Sequence, residues 1–229
     1  MSLGNLNHNP VICALDTSSY GQAIQWVEEI REHIGMVKVG LELFTSQGIN
    51  MISAIEMKHI PIFLDLKFYD IPNTVYKAVQ NFNKFTNIKM MTVHGSADPE
   101  MIQMATEAAG HIDVIAVTVL TSSDKKWATK RAVKKITEKA LRAGAAGIVC
   151  SANEVKSLRK SFGNDFKIIV PGVRPDWYDQ KDDQKRTGTP TEILGDGADY
   201  LVIGRPITAT GSVREASYRI MSEIRDAQR

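Results

Sequence analysis

Short apolar runs alternate with amphipathic stretches along the whole chain. The runs are Val11–Asp16, Met36–Gly40, Ile62–Lys67, Lys89–His94, Val114–Leu120, Gly147–Cys150, Lys167–Val170 and Tyr200–Ile203. Most are nearly continuous in apolar character, the pattern of parallel strands covered on both faces. Between them lie helical segments. Tyr20–His33 places Ile24, Val27 and Ile30 on one stripe with Ile34 just beyond, and Thr129–Arg142 does the same with Val133, Ile136, Ala140 and Leu141. Asp98-Pro99-Glu100 reads as a helix start, a capping residue followed by proline at the first helical position. Ser212–Ala227 supplies a final helix. Strands and helices in this strict alternation predict an α/β fold, a (β/α)8 TIM barrel forming a single domain over residues 1–229. An open, doubly wound sheet is the other architecture with the same alternation. No repeat, low-complexity tract or Ser/Gly linker divides the chain.

One connection departs from the rest. Pro171 to Pro190 is polar and longer than most strand-to-helix loops, and it carries Arg174-Pro175 and then Asp182, Asp183, Gln184, Lys185 and Arg186. Loops of that length in compact domains are usually functional or disordered. In a barrel this one rises from the C-terminal face, where active sites form.

Composition narrows the function. The chain has 229 residues, 43% hydrophobic and 24% charged, with a net charge of +2, which places it among ordinary globular proteins. So small a net charge gives no reason to expect a nucleic-acid partner. No apolar run approaches the roughly 20 residues of a membrane span, and the polar start Met1–Pro10 lacks the regions of a secretory signal. Cys13 and Cys150 sit inside apolar runs and read as buried hydrophobes in a reducing compartment. The expectation is a cytoplasmic protein. The basic stretch Lys125–Arg142 carries an apolar stripe and reads as a solvated helix face. His8, His33, His59 and His111 show no metal-ligand spacing. His94, ending the fourth strand, reads as a hydrogen-bonded scaffold residue.

The candidate chemistry is concentrated in Asp65-Leu66-Lys67-Phe68-Tyr69-Asp70. Asp65 and Lys67 are two apart near the end of a strand and so share a face, with Phe63 preceding them on it. A strand-end salt bridge is the ordinary reading of Asp-x-Lys. Asp16 and Lys38 change the balance, because each interrupts an apolar strand near its C-terminal end. Four such charges converge at one mouth, where carboxylates keep a lysine protonated. A protonated lysine aimed into a barrel is a proton donor or an anion clamp. At the other end of the chain, Gly204-Arg205-Pro206 follows the last strand. Glycine admits a ligand to the backbone and arginine offers a planar fork to phosphate. Barrels often bind phosphate with the loops after strands seven and eight, where Arg174 and Arg205 fall.

These residues resemble the orotidine 5′-phosphate decarboxylase family, bacterial type. The resemblance rests on ALD at 14–16, VKVG at 37–40, DLKFYDIPNT at 65–74, VTVLTS at 117–122, PGVRP at 171–175, DQKR at 183–186 and Gly204-Arg205-Pro206. It implies decarboxylation of orotidine 5′-phosphate to UMP, the last step of de novo pyrimidine nucleotide synthesis, with no metal or organic cofactor. It further implies that Lys67 is the proton donor in a network of Lys38, Asp65, Lys67 and Asp70. Asp70 and Thr74 would come from the partner subunit of a homodimer. Asp16 and Lys38 would contact ribose and Thr121 the pyrimidine, with Ser122 able to share that role. Arg174, Gln184, Gly204 and Arg205 would grip the phosphate.

Two rival functions differ in a readable way. Metal-dependent sugar-phosphate decarboxylases of the same superfamily, such as 3-keto-L-gulonate 6-phosphate decarboxylase, share the Asp-x-Lys-x-x-Asp pattern but carry a carboxylate at the position of Lys38 to hold Mg2+. A lysine there repels the cation. A non-catalytic nucleotide-phosphate binding barrel would keep the arginines but have no use for Lys67 set among carboxylates.

Overall fold

Eight parallel strands among the described residues close into a barrel in sequence order, β1 to β8. The structure, a computed structural model, describes residues 9–119, 130–178 and 188–227. The strands are β1 (Val11–Ala14), β2 (Met36–Gly40), β3 (Ile62–Phe68), β4 (Ile88–His94), β5 (Asp113–Val117), β6 (Gly147–Val149), β7 (Lys167–Pro171) and β8 (Tyr200–Ile203). The register sets Ala14 beside Lys38 and Gly40 beside Asp65, and β8 closes on β1 with Cys13 beside Ile203. Closure removes the open-sheet alternative.

The helices follow the strands: α1 (Tyr20–Ile30), α2 (Leu41–Gln47), α3 (Ile49–Glu56), α4 (Pro72–Gln80), α5 (Pro99–Ala108), α6 (Lys130–Arg142), α7 (Val155–Phe162), α8 (Pro190–Gly195), α9 (Arg205–Thr208) and α10 (Val213–Asp226). Helix α1 starts where Ser19 accepts a hydrogen bond from the Gln22 N–H and buries Ala23, Val27 and Ile30. It ends at Ile30, short of the His33 suggested by the apolar stripe, because residues 31–33 turn. The β2–β3 connection holds two helices, divided at Gly48, whose φ of 62° is left-handed. Asp98 does occupy the cap position before Pro99, but its side chain makes no capping bond.

Two layers of core explain why the strands are apolar on both faces. Inside the barrel, Ile12, Ala14, Met36, Phe63, Met90, Ile115, Ile169 and Val202 pack together. Between barrel and helices a larger cluster includes Val27, Ile52, Ile102, Leu158 and Ile220. Cys13 and Cys150 are buried free thiols in that outer layer. Burial, the largest influence on each, pushes both thiols up from the ordinary range, so neither is a thiolate.

The N-terminal end of the barrel has its own ion pairs. Lys167, opening β7, lies 2.9 Å from Asp113, opening β5. Asp199, just before β8, accepts from the Arg159 guanidinium and from the Ile168 N–H. Arg159 also donates to the Phe166 and Gly197 carbonyls, tying α7 to the strand entries. Among the described residues, no helix is long and apolar enough to cross a membrane.

Candidate active site

Three side chains from β2 and β3 and one from the β1–α1 loop form a ladder of alternating charge at the C-terminal mouth. Lys38 Nζ lies 3.2 Å from Asp16 Oδ1 and 3.7 Å from Asp65 Oδ2. Lys67 Nζ lies 2.8 Å from Asp65 Oδ1. The order is Asp16, Lys38, Asp65, Lys67. Strand β1 stops at Ala14, so Asp16 sits just beyond it rather than ending it. The side chains of Lys38 and Asp65 are only 12% and 13% exposed, Lys67 is 30% exposed and Asp16 55%, so the middle of the ladder is buried and both ends are more open to solvent. Gly40 leaves room for it, since a Cβ there would stand 2.7 Å from Lys38 Nζ.

Lys67 reaches Asp65 by a route that strand alternation does not describe. Its φ is 52°, left-handed and unusual for a residue with a Cβ. The β3–β4 ladder shifts register here. Leu64 pairs with Met91 and Phe68 with Val93, so Asp65, Leu66 and Lys67 stand opposite the single residue Thr92. Thr92 is fully buried. Its hydroxyl accepts from the Lys67 backbone N–H at 2.8 Å and donates to Asp65 Oδ1 at 2.9 Å. The sequence reading missed Thr92. Its signal was a polar residue in an apolar strand, between Met90 and His94 at alternate positions.

The carboxyl of Asp65 is under opposed influences. Burial pushes its pKa up, while the charges of Lys38 and Lys67 and the hydrogen bonds from Lys67 and Thr92 pull it down. The cations and hydrogen bonds win, and the carboxyl lies below its ordinary range. A depressed folded-state pKa stabilises the fold above the unfolded value, about pH 4, and that stabilisation disappears as pH falls through the folded value. Urea unfolding of the wild type and of Asp65→Asn should therefore show a difference at pH 7 that shrinks steadily toward pH 3. A constant difference would mean that Asp65 is not held ionised.

His94 behaves as a scaffold residue. The Ser96 backbone N–H donates to its Nδ1, and the Ser96 hydroxyl lies 2.7 Å from the same nitrogen. Burial, then Lys67 and Lys139, lower its pKa and keep the ring neutral.

Two cavities meet at the ladder. One, of about 150 Å3, is lined by Lys38, Asp65, Lys67 and the apolar Phe63, Val117, Val119, Val149, Pro171 and Val202. The other, of about 200 Å3, is lined by Asp16, Lys38, Arg174, Gly204 and Arg205 among others. Lys38, Pro171 and Val202 border both. The two arginines come from the connections after β7 and β8, as the sequence suggested. Arg174 also lies over the Tyr178 ring at 5.7 Å.

Asp70 and Thr74 are exposed and are not part of the ladder within the chain. Asp70 Oδ1 accepts from the next backbone N–H, that of Ile71. Thr121, its neighbour Ser122 and Gln184 lie outside the described residues.

A closed parallel barrel with paired carboxylates and lysines at its C-terminal mouth, beside an arginine-lined cavity, defines an enzyme of the (β/α)8-barrel class. The family model described as "Orotidine 5′-phosphate decarboxylase / HUMPS family" matches residues 9–220, and the chain belongs to that family. An orotidine 5′-phosphate decarboxylase of Wolbachia pipientis subsp. Culex pipiens is 40% identical over 228 residues, covering 95% of this chain and all of the relative. That of Ehrlichia canis is 43% identical over 226 residues, covering 94% of this chain and 98% of the relative. Among solved structures, orotidine 5′-phosphate decarboxylase from Lactobacillus acidophilus superposes with a TM-score of 0.79 at 33% identity, covering 94% of this chain and 99% of that one.

Proposed function

We propose that the protein decarboxylates orotidine 5′-phosphate to UMP without a metal or organic cofactor, as a homodimer in the cytoplasm, with the single barrel spanning residues 1–229. The Asp16–Lys38–Asp65–Lys67 ladder at the junction of the two cavities carries this reading. Loss of CO2 from C6 of the pyrimidine leaves an electron pair in the ring plane, outside the π system, so no electron sink is available within the ring. The site must stabilise that charge electrostatically and supply a proton. Lys67, whose Nζ lies 2.8 Å from Asp65 Oδ1, does both. The C6–carboxyl bond breaks, CO2 departs, the electron pair takes the Nζ proton, and water reprotonates the neutral amine. Asp65 would crowd the substrate carboxylate, and their repulsion would be relieved as CO2 leaves. The apolar walls of the smaller cavity suit a planar base, and the arginine-lined cavity suits ribose phosphate.

Lys38 separates this reading from that of a metal-dependent sugar-phosphate enzyme. Its ammonium stands between Asp16 and Asp65, in the place where a divalent cation would need both carboxylates. Mixing the protein with orotidine 5′-phosphate in excess EDTA should give a steady fall in ultraviolet absorbance. No fall overturns the proposal, and a fall that requires added Mg2+ favours the metal-dependent class.

Asp70 and Thr74 support the dimer. Asp70 is flanked by Tyr69 and Ile71, two apolar side chains 64% and 66% exposed, an arrangement suited to an interface at the mouth. In that assembly Asp70 of the partner subunit extends the ladder beyond Lys67.

Arg205 belongs to the phosphate end. Arg205→Ala is expected to lower kcat/KM for orotidine 5′-phosphate by about tenfold to a hundredfold, the usual size of a charge-assisted hydrogen bond. With orotidine, which lacks the phosphate, the same substitution should change little. Equal losses on both substrates would remove Arg205 from phosphate recognition.

A further inference from the structure

We propose that Thr92 is a positioning residue for the decarboxylation: its hydroxyl locks the Asp65 carboxylate and the left-handed Lys67 backbone into one geometry, and so fixes where the Lys67 ammonium points. The inference rests on the decarboxylase reading above.

The hydroxyl has no freedom of direction. A backbone N–H only donates, so toward Lys67 the Thr92 oxygen must accept. Its one proton is therefore left for Asp65 Oδ1, which remains an acceptor because the carboxyl is held ionised. The same Oδ1 receives the Lys67 ammonium, so one carboxylate oxygen is fixed from two sides. The other, Oδ2, faces Lys38.

The hydroxyl also replaces part of the sheet. In the register shift, three β3 residues face one β4 residue, so the regular ladder is interrupted there. The Lys67 N–H is then satisfied by the Thr92 side chain in place of a strand carbonyl. A left-handed lysine costs conformational energy and persists only where its surroundings over-determine it. The Thr92 hydroxyl is such a determinant. Thr92 is not among the residues lining either cavity, so it acts through Asp65 and Lys67.

Valine, an isostere without the hydroxyl, removes both hydrogen bonds, while serine keeps them. Thr92→Val is expected to lower kcat on orotidine 5′-phosphate by about 10- to 100-fold with UMP affinity unchanged within about twofold. Thr92→Ser should keep kcat within about threefold of wild type. Thr92→Ala removes the hydroxyl without placing a methyl beside the carboxylate, and is the substitute if the valine variant does not fold. UMP titration counts folded sites, so a role confined to stability would lower the unfolding midpoint and leave kcat per site unchanged. Hydrogen exchange at the Lys67 amide reads the contact without turnover and should quicken in the valine or alanine variant but not in the serine variant. Unchanged kcat per site, or unchanged exchange, overturns the role of Thr92. Faster exchange in a protein whose wild type does not act on orotidine 5′-phosphate overturns the decarboxylase reading instead.

Discussion

Lys67→Ala is expected to reduce decarboxylation by about 10⁴-fold or more while the protein remains folded and still binds UMP. The size follows from two losses at once. General acid catalysis contributes about 10²- to 10⁴-fold, and a preorganised charge at a developing anion about 10²- to 10³-fold. In the proposed mechanism Lys67 would supply both, because its ammonium lines the smaller cavity beside Asp65. Folding should survive, since Asp65 keeps Lys38 and the Thr92 hydroxyl as partners. On the proposed reading UMP, which carries no C6 carboxylate, would draw its affinity from the arginine-lined cavity, which the substitution leaves alone. Near-normal turnover by the alanine variant would end the mechanism proposed above.

The second large effect is a recovery. Lys67→Ala and Asp70→Ala homodimers should both be nearly inactive, and mixing them under conditions of subunit exchange should restore about a quarter of wild-type activity. In the proposed dimer each site would take Lys67 from its own chain and Asp70 from the partner subunit. In a mixed dimer one site then collects both defects and the other neither. Random exchange makes about half the dimers mixed, so about a quarter of all sites are intact. The family resemblance is what makes this outcome expected, and the exposure of Asp70, away from the ladder of its own chain, is compatible with it. A mixture that stays inactive after exchange is confirmed by mass would place Asp70 in its own chain's site.

Local patterns in the chain carried most of the fold. The apolar strand runs are recovered with shifts at their ends, as at β1, which stops at Ala14, and β5, which stops at Val117. Such ends depend on where the ladder gives way to the loops of the mouth, a tertiary matter that local apolar character does not record. The division of the β2–β3 connection at Gly48 went unread for a related reason, since a glycine in a helical stretch does not by itself say that the chain turns. For the site, Asp16, Lys38, Asp65 and Lys67 stood out because charges in apolar strands are costly unless paired. Their pairing was legible but the means was not. Alternation placed Lys67 on the face of Asp65, whereas the chain reaches that contact through a register shift and a left-handed residue. Thr92 stayed hidden because a threonine is common in strands and carries no charge. Arg174 and Arg205, about thirty residues apart in the chain, were joined only by knowing how barrel loops cluster.

The ion pairs at the two ends of the barrel have different consequences for mutational tolerance. At the N-terminal end, Lys167–Asp113 and Arg159–Asp199 join strand entries to one another and to α7, far along the strands from the cavities. At the C-terminal end, Lys38, Asp65 and Lys67 of the ladder line the smaller cavity. In a saturation library scored separately for protein abundance and for growth dependent on the enzyme, the two scores should part company along the barrel axis. Variants at Arg159 and Asp199 would disappear from both, by loss of folded protein. Variants at Lys67 would keep their abundance and lose only growth. A lineage exploring new substrates can therefore rewrite one rim of this scaffold while the other continues to hold the barrel closed.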